Sequence, residues 1–110
     1  MVLSPVTSNQ VETLASGVTA NAAQAAKYKV SQWSYFQATV VGTGAVTATI
    51  AIEGSNDGLV WSSTDLGTIT LSGTTSHTDG VTVISPAKYV RSNITNITGT
   101  GATVTVTMAV

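Results

Sequence analysis

The stretch VVGTGAVTATIAI, residues 40–52, decides the fold. After its glycines, Val46, Ala48, Ile50 and Ile52 alternate with Thr47, Thr49 and Ala51. Side chains on a strand point to opposite faces in turn, so this pattern gives one apolar and one polar face. That is the signature of a half-buried antiparallel strand. The same alternation runs outward in both directions. Phe36, Ala38 and Val40 share one phase, while Trp33, Tyr35, Gln37 and Thr39 share the other. Further on come Ile69 and Leu71, then Val81 and Val83, then Val104, Val106 and Met108 between threonines.

Turn chemistry punctuates these runs. The tetrapeptide GTGA occurs twice, at residues 42–45 and 99–102, each time ahead of a strongly alternating strand. Glycine takes positive φ freely, so both copies read as hairpin turns. The echo is either a duplication or two hairpins built by the same rules. SNDG at 55–58 reads as a third turn, with Leu59, Val60 and Trp61 resuming a strand. Residues 73–80 read as a polar connection, and Pro86 suits an edge or the first position of a strand. The expected fold is all-β: an antiparallel β-sandwich, jelly-roll-like, of about seven or eight short strands.

Before residue 28 the pattern changes. VETLASGVTANAAQAA, residues 11–26, is rich in alanine and small polar residues. Gly17, Val18, Thr19 and Asn21 interrupt any helical stripe, although Val11, Leu14 and Val18 sit at i, i+3 and i+7. The division is therefore residues 1–27 as an extended N-terminal segment and 28–110 as the β-sandwich domain. The segment is either an arm ordered by a partner or the first strand of the sandwich.

Composition narrows the function classes. The chain has 110 residues, enough for one modest core, and no cysteine for a disulfide or thiolate metal site. Charged residues make up 8%, against about 25% in an ordinary domain. Four basic residues, scattered at 27, 29, 88 and 91, give no nucleic-acid footprint. No apolar run approaches the roughly 20 residues of a membrane-spanning helix. MVLSPVTSNQ has neither the basic start nor the apolar core of a signal peptide.

Chemistry-bearing constellations are sparse. His77 and Asp79 would point the same way on a strand, as a base and its orienting acid would, but no nucleophile motif accompanies them. They read as solvated loop residues. One histidine argues against a zinc site. Glu53, Asn56 and Asp57 offer oxygen ligands without EF-hand spacing, and turn chemistry accounts for them. Asn93-Ile94-Thr95 and Asn96-Ile97-Thr98 match the glycosylation sequon as a by-product of a threonine-rich strand. Trp33 and Tyr35 on one face suit a core, a subunit interface or a sugar platform. The expectation is a protein without catalytic residues, cofactor or metal.

IEGSNDGLVW, followed by LGTITLSGTTSHTDG and then SPAKYVRSNITNITGTGATVTVTMAV, resembles small all-β virion proteins of tailed bacteriophages. Several of these are capsid decoration, or cement, proteins. The resemblance covers residues 40–110 and rests on turns and strands rather than on a catalytic signature. It implies a structural protein on the outer capsid surface that bridges coat subunits. Its partners would be the major capsid protein and further copies of itself, and it would be made in the cytoplasm of the host bacterium. The contact candidates are Val2, Leu3, Val11, Leu14, Trp33 and Tyr35. A tail or head–tail connector component is the alternative within the virion. The SNDG-x-x-W hairpin also resembles discoidin-like sandwiches, which implies a carbohydrate-binding module.

Overall fold

The computed structural model describes residues 11–29 and 31–110. Their regular structure is all β, in one antiparallel sheet of six strands. These are β1 (Val11–Val18), β2 (Ala22–Ala23), β3 (Lys27–Tyr28), β4 (Trp33–Ser55), β5 (Gly67–Ile84) and β6 (Tyr89–Ala109). The order across the sheet is β1-β6-β4-β5, with β2 and β3 also pairing with β6.

Fewer and longer strands form than the expected seven or eight, because neither GTGA makes a hairpin. Both lie inside strands. Val41 pairs with Thr103, Thr43 with Thr100 and Thr47 with Thr98, so the two tetrapeptides face each other as bulges within the β4–β6 ladder. β5 is irregular at the same level, between Ser76 opposite Val41 and Thr74 opposite Ala45. Thr75 there takes a φ of 69°, and Gly44 and Gly101 take 73° and 63°. Residues 73–80, expected as a connection, are thus the bent middle of β5.

Three adjacent strands irregular at one level make a crease. A straight strand of 23 residues would span about 75 Å at about 3.3 Å per residue, yet the longest dimension of the molecule is 48 Å. The glycines make the bend possible. A Cβ on Gly42 would lie 2.7 Å from a Val46 methyl and 3.0 Å from the Thr100 carbonyl oxygen; one on Gly99 would lie 2.8 Å from the Ala45 oxygen.

Beyond the crease the two ends of β4 come back toward each other. Ile84 pairs with Trp33 at one end, and Tyr89 pairs with Ser55 at the other. Only residues 85–88 separate Ile84 from Tyr89, a reach of at most about 18 Å. Tyr28, opposite Tyr89, is likewise five residues from Trp33. The two links bond to each other: the Lys29 amide donates to the Lys88 carbonyl (2.7 Å) and the Ser85 amide to that of Gln32 (2.9 Å). The Lys29 ammonium donates to the carbonyls of Ser31 and Ser85. Lys29 is only 4% exposed, and burial, with Lys88 beside it, lowers its pKa below the ordinary 10.5. This clasp forms the seam opposite the crease.

The apolar phase of each strand lines one continuous core. Phe36, Ala38, Val40, Val46, Ile50, Ile52, Leu71, Val90, Val104 and Val106 are wholly buried, with Ile69, Ile94 and Met108 nearly so. Burying each of the larger side chains stabilises the fold by about 1.5–3 kcal/mol. Leu14 and Ala15 join this core from β1, which pairs with β6 from Val11 opposite Ala109 to Val18 opposite Val104. The Ser92 hydroxyl, on the core face opposite Ile52, has no hydrogen-bond partner.

Two substitutions test this packing by thermal denaturation. Gly42→Ala should cost about 1–3 kcal/mol by forcing a methyl into the crease. Ser92→Ala should leave stability unchanged or raise it by up to about 1 kcal/mol, because it removes an unsatisfied buried hydroxyl.

Candidate functional site

Directly opposed residues on neighbouring strands share a face, so the ladder places the outward side chains. At the seam end of the sheet, one outer row runs Val11, Ala109, Tyr35, Thr82, and the next holds Trp33 and Ile84. Val11 (65% exposed), Trp33 (62%), Ile84 (58%) and Tyr35 (44%) all face solvent. Trp33, Tyr35, Thr82, Ala109 and Val110 border an open depression of about 230 Å³. Tyr35 leans toward the crease over Gly80, where its hydroxyl occupies the space of the missing Cβ.

Three of the sequence-derived contact candidates, Val11, Trp33 and Tyr35, therefore converge on one patch. Leu14 does not: it is 5% exposed and packs in the core, because residues 11 and 14, an odd number apart, fall on opposite faces of a strand. Val2 and Leu3 lie outside the described residues. Ile84 was missed, although its signal was present: it breaks the polar phase between Val83 and Ser85 just as Trp33 breaks its own.

The loop after β4 adds to the same end of the molecule. Leu59, Val60 and Trp61 do not resume a strand, because side chains bind the backbone of residues 55–60 into a compact loop. Ser55 Oγ accepts from the amides of Asp57 (3.2 Å) and Gly58 (3.0 Å). Its single proton lies between the Val60 carbonyl (2.6 Å) and Asp57 Oδ1 (2.9 Å). Asp57 Oδ1 accepts from the amides of Leu59 and Val60, each at 2.9 Å. These amide bonds, with a further one from Ser55, hold the Asp57 carboxyl below its ordinary pKa of 3.8. Gly58, with a φ of 74°, sits against the Tyr89 ring, and Tyr28 meets that ring edge-on at 5.5 Å. Leu59 and Val60 are left 83% and 75% exposed.

Trp61 is half-buried and lies outside the core cluster. It lies over the Arg91 guanidinium, 4.4 Å from the ring centroid, on the outer face. Arg91 Nε donates to Glu53 Oε1 at 2.6 Å, and Asn93 donates to the other carboxylate oxygen. Glu53 is thus occupied by an ion pair and shares no hydrogen-bond partner with Asp57. Trp61, Val60 and Leu66 line a groove of about 420 Å³. Among the described residues, no three His, Asp or Glu side chains gather as a metal site would require.

His77 and Asp79 share a face of β5, opposite Val40 and Ala38. Each is engaged by a backbone amide: Ser72 N donates to His77 Nδ1 (3.0 Å) and Gly80 N to Asp79 Oδ1 (2.8 Å). Among the described residues, no hydrogen bond joins either side chain to a serine or threonine hydroxyl.

Eight large apolar side chains are exposed among the described residues. Val41 lies at the crease; Val11, Tyr28, Trp33, Tyr35, Leu59, Val60 and Ile84 lie toward the seam end. Large apolar side chains exposed together differ from the single exposed ones that are normal on any surface. No protein-family model, curated protein or solved structure matches the chain.

The order of the loop depends on the Asp57 charge. A carboxyl with a depressed folded-state pKa contributes order above its unfolded value of 3.8, and that order is lost as pH falls through the folded value. Amide exchange at Leu59 and Val60, corrected for intrinsic rate, should therefore accelerate only below pH 3.8. Asp57→Ala should show the fast rates at neutral pH.

Proposed function

We propose that this chain is a structural virion protein of a tailed bacteriophage, a capsid decoration protein that binds the outer capsid surface and bridges coat subunits. The observation that carries the reading is the apolar seam end. Val11, Trp33, Tyr35 and Ile84 project from a hydrogen-bonded sheet, which holds aromatic anchors at little conformational cost. The low charge of the chain supports it, because few charges need desolvation when such a face is covered. In this reading the halves of the creased sheet face each other as the two layers of a jelly-roll-like β-sandwich. The crease forms one side, and the links at 29–32 and 85–88 form the other. The major capsid protein covers the seam end, and further copies of the chain assemble around capsid symmetry positions. The chain is made in the cytoplasm of the host bacterium and ends on the particle.

Copy number in purified particles tests the assignment. Hundreds of copies fit decoration, about six or twelve fit a tail or connector component, and absence from the particle removes the reading. The double variant Trp33→Thr, Ile84→Thr tests the face, since threonine suits a strand and adds no charge to this directly opposed pair. Both side chains are exposed, so melting temperature should hold while capsid affinity falls about tenfold or more. Undiminished occupancy would exclude the patch.

A second reading draws on the same two aromatics. Trp33 and Tyr35 are exposed on one face, as in a carbohydrate-binding module. That reading requires a change in tryptophan fluorescence on titration with glycans, and a flat response across a glycan panel discards it.

A further inference from the structure

Among the described residues, β5 is the outermost strand on its side of the sheet, and its 18 residues leave one edge unpaired. An edge of that length is a template for strand addition, and proteins blunt such edges with lysine, proline, bulges or short strands. The opposite edge is divided among β1, β2 and β3, of 8, 2 and 2 residues. β5 has no such division and contains neither lysine nor proline. Its only ionisable side chains are His77 and Asp79.

These two residues bond to the edge itself. Ser72 N donates to His77 Nδ1 and Gly80 N to Asp79 Oδ1, so neither amide bonds to β4. In an antiparallel ladder the amides of alternate residues point to the same side. Ser72 and Gly80 therefore present their donors outward, one on each side of the bend at Thr75. His77 reaches back five residues across that bend, which the φ of 69° at Thr75 permits. Acceptance at Nδ1 places the ring proton on Nε2. The facing segment of β4, residues 37–45, contains no ionisable side chain that could compete for either cap.

We propose that His77 and Asp79 cap the outward donors of the β5 edge and thereby close it to strand addition by a second copy of this chain. A second copy is the occupant the edge would admit, because a strand matching it end to end must bend at the same level. β5 has that bend, and inside the molecule bent strands already pair crease against crease, with Thr43 opposite Thr100. Antiparallel pairing of two copies about Thr75 would align their bends and set no like charges opposite each other. The caps occupy the donors on either side of that centre. The proposal is independent of what covers the seam end.

Hydrogen exchange and solution size test it together. In His77→Ala the Ser72 amide, and in Asp79→Ala the Gly80 amide, should exchange about fivefold faster or more, the scale of one hydrogen bond. Asp79→Asn keeps the acceptor oxygen and should exchange like the wild type at Gly80. The double variant His77→Ala, Asp79→Ala should form larger species in light scattering at concentrations where the wild type does not. Adding Thr70→Pro, which deletes another outward donor on the same strand, should reverse this. Unchanged exchange, Asp79→Asn behaving as Asp79→Ala, or association that survives Thr70→Pro would each overturn the proposal.

Discussion

Everything in this molecule follows from the contact between two bulges. Gly42 and Gly99 pack where β4 and β6 cross the crease, with no space for a Cβ at either. An antiparallel ladder resists bending because its side chains crowd on the concave face. Removing side chains from the line of bending lets the hydrogen-bonded ladder continue through it, with local irregularity as the cost. Val40 and Val46 then stay on the same side of the sheet and both reach the core. Both halves of the sheet thus contribute their apolar phase to one core.

The seam completes what the crease begins. Two four-residue links carry the chain between the ends of the bent sheet, and Lys29 binds them through backbone carbonyls rather than through a carboxylate. A buried ammonium served only by neutral acceptors loses hydration without a counter-charge, which is why its proton is held less tightly. The position rewards a long flexible donor that can reach both links. Crease, core and seam together set the apolar side chains of the seam end on a rigid base.

Much of the fold was legible in the chain. Alternation assigned Phe36, Ala38, Val40, Val46, Ala48, Ile50 and Ile52 to the core, and each is at most 1% exposed. The failures share one cause: glycine and small polar residues mark irregular backbone without saying whether the chain reverses. GTGA inside a ladder and GTGA in a hairpin look alike, and the partner strand decides between them. For the same reason the polar run at 73–80 hid the middle of β5. Leu59 to Trp61 read as a strand because the alternating hydrophobicity could not register the pull of Ser55 and Asp57 on the intervening amides. Leu14 is a separate case: its spacing of three from Val11 groups the two on a helix, but on a strand it sets them on opposite faces.

The register has a consequence for the order in which the chain can fold. β4 and β5 are neighbours in sequence and pair antiparallel, whereas β1 pairs with β6, with Val11 opposite Ala109. Pairings so distant in the chain close late, because the loop entropy must be met before the contact exists. During synthesis β1 therefore waits for the last strand to emerge. Meanwhile the side of β4 that will receive β6 stands open, and none of the side-chain caps seen on β5 guards it. The vulnerable edge of the nascent chain is an interior one in the finished molecule, and its exposure lasts as long as the ribosome takes to deliver residues 89–109.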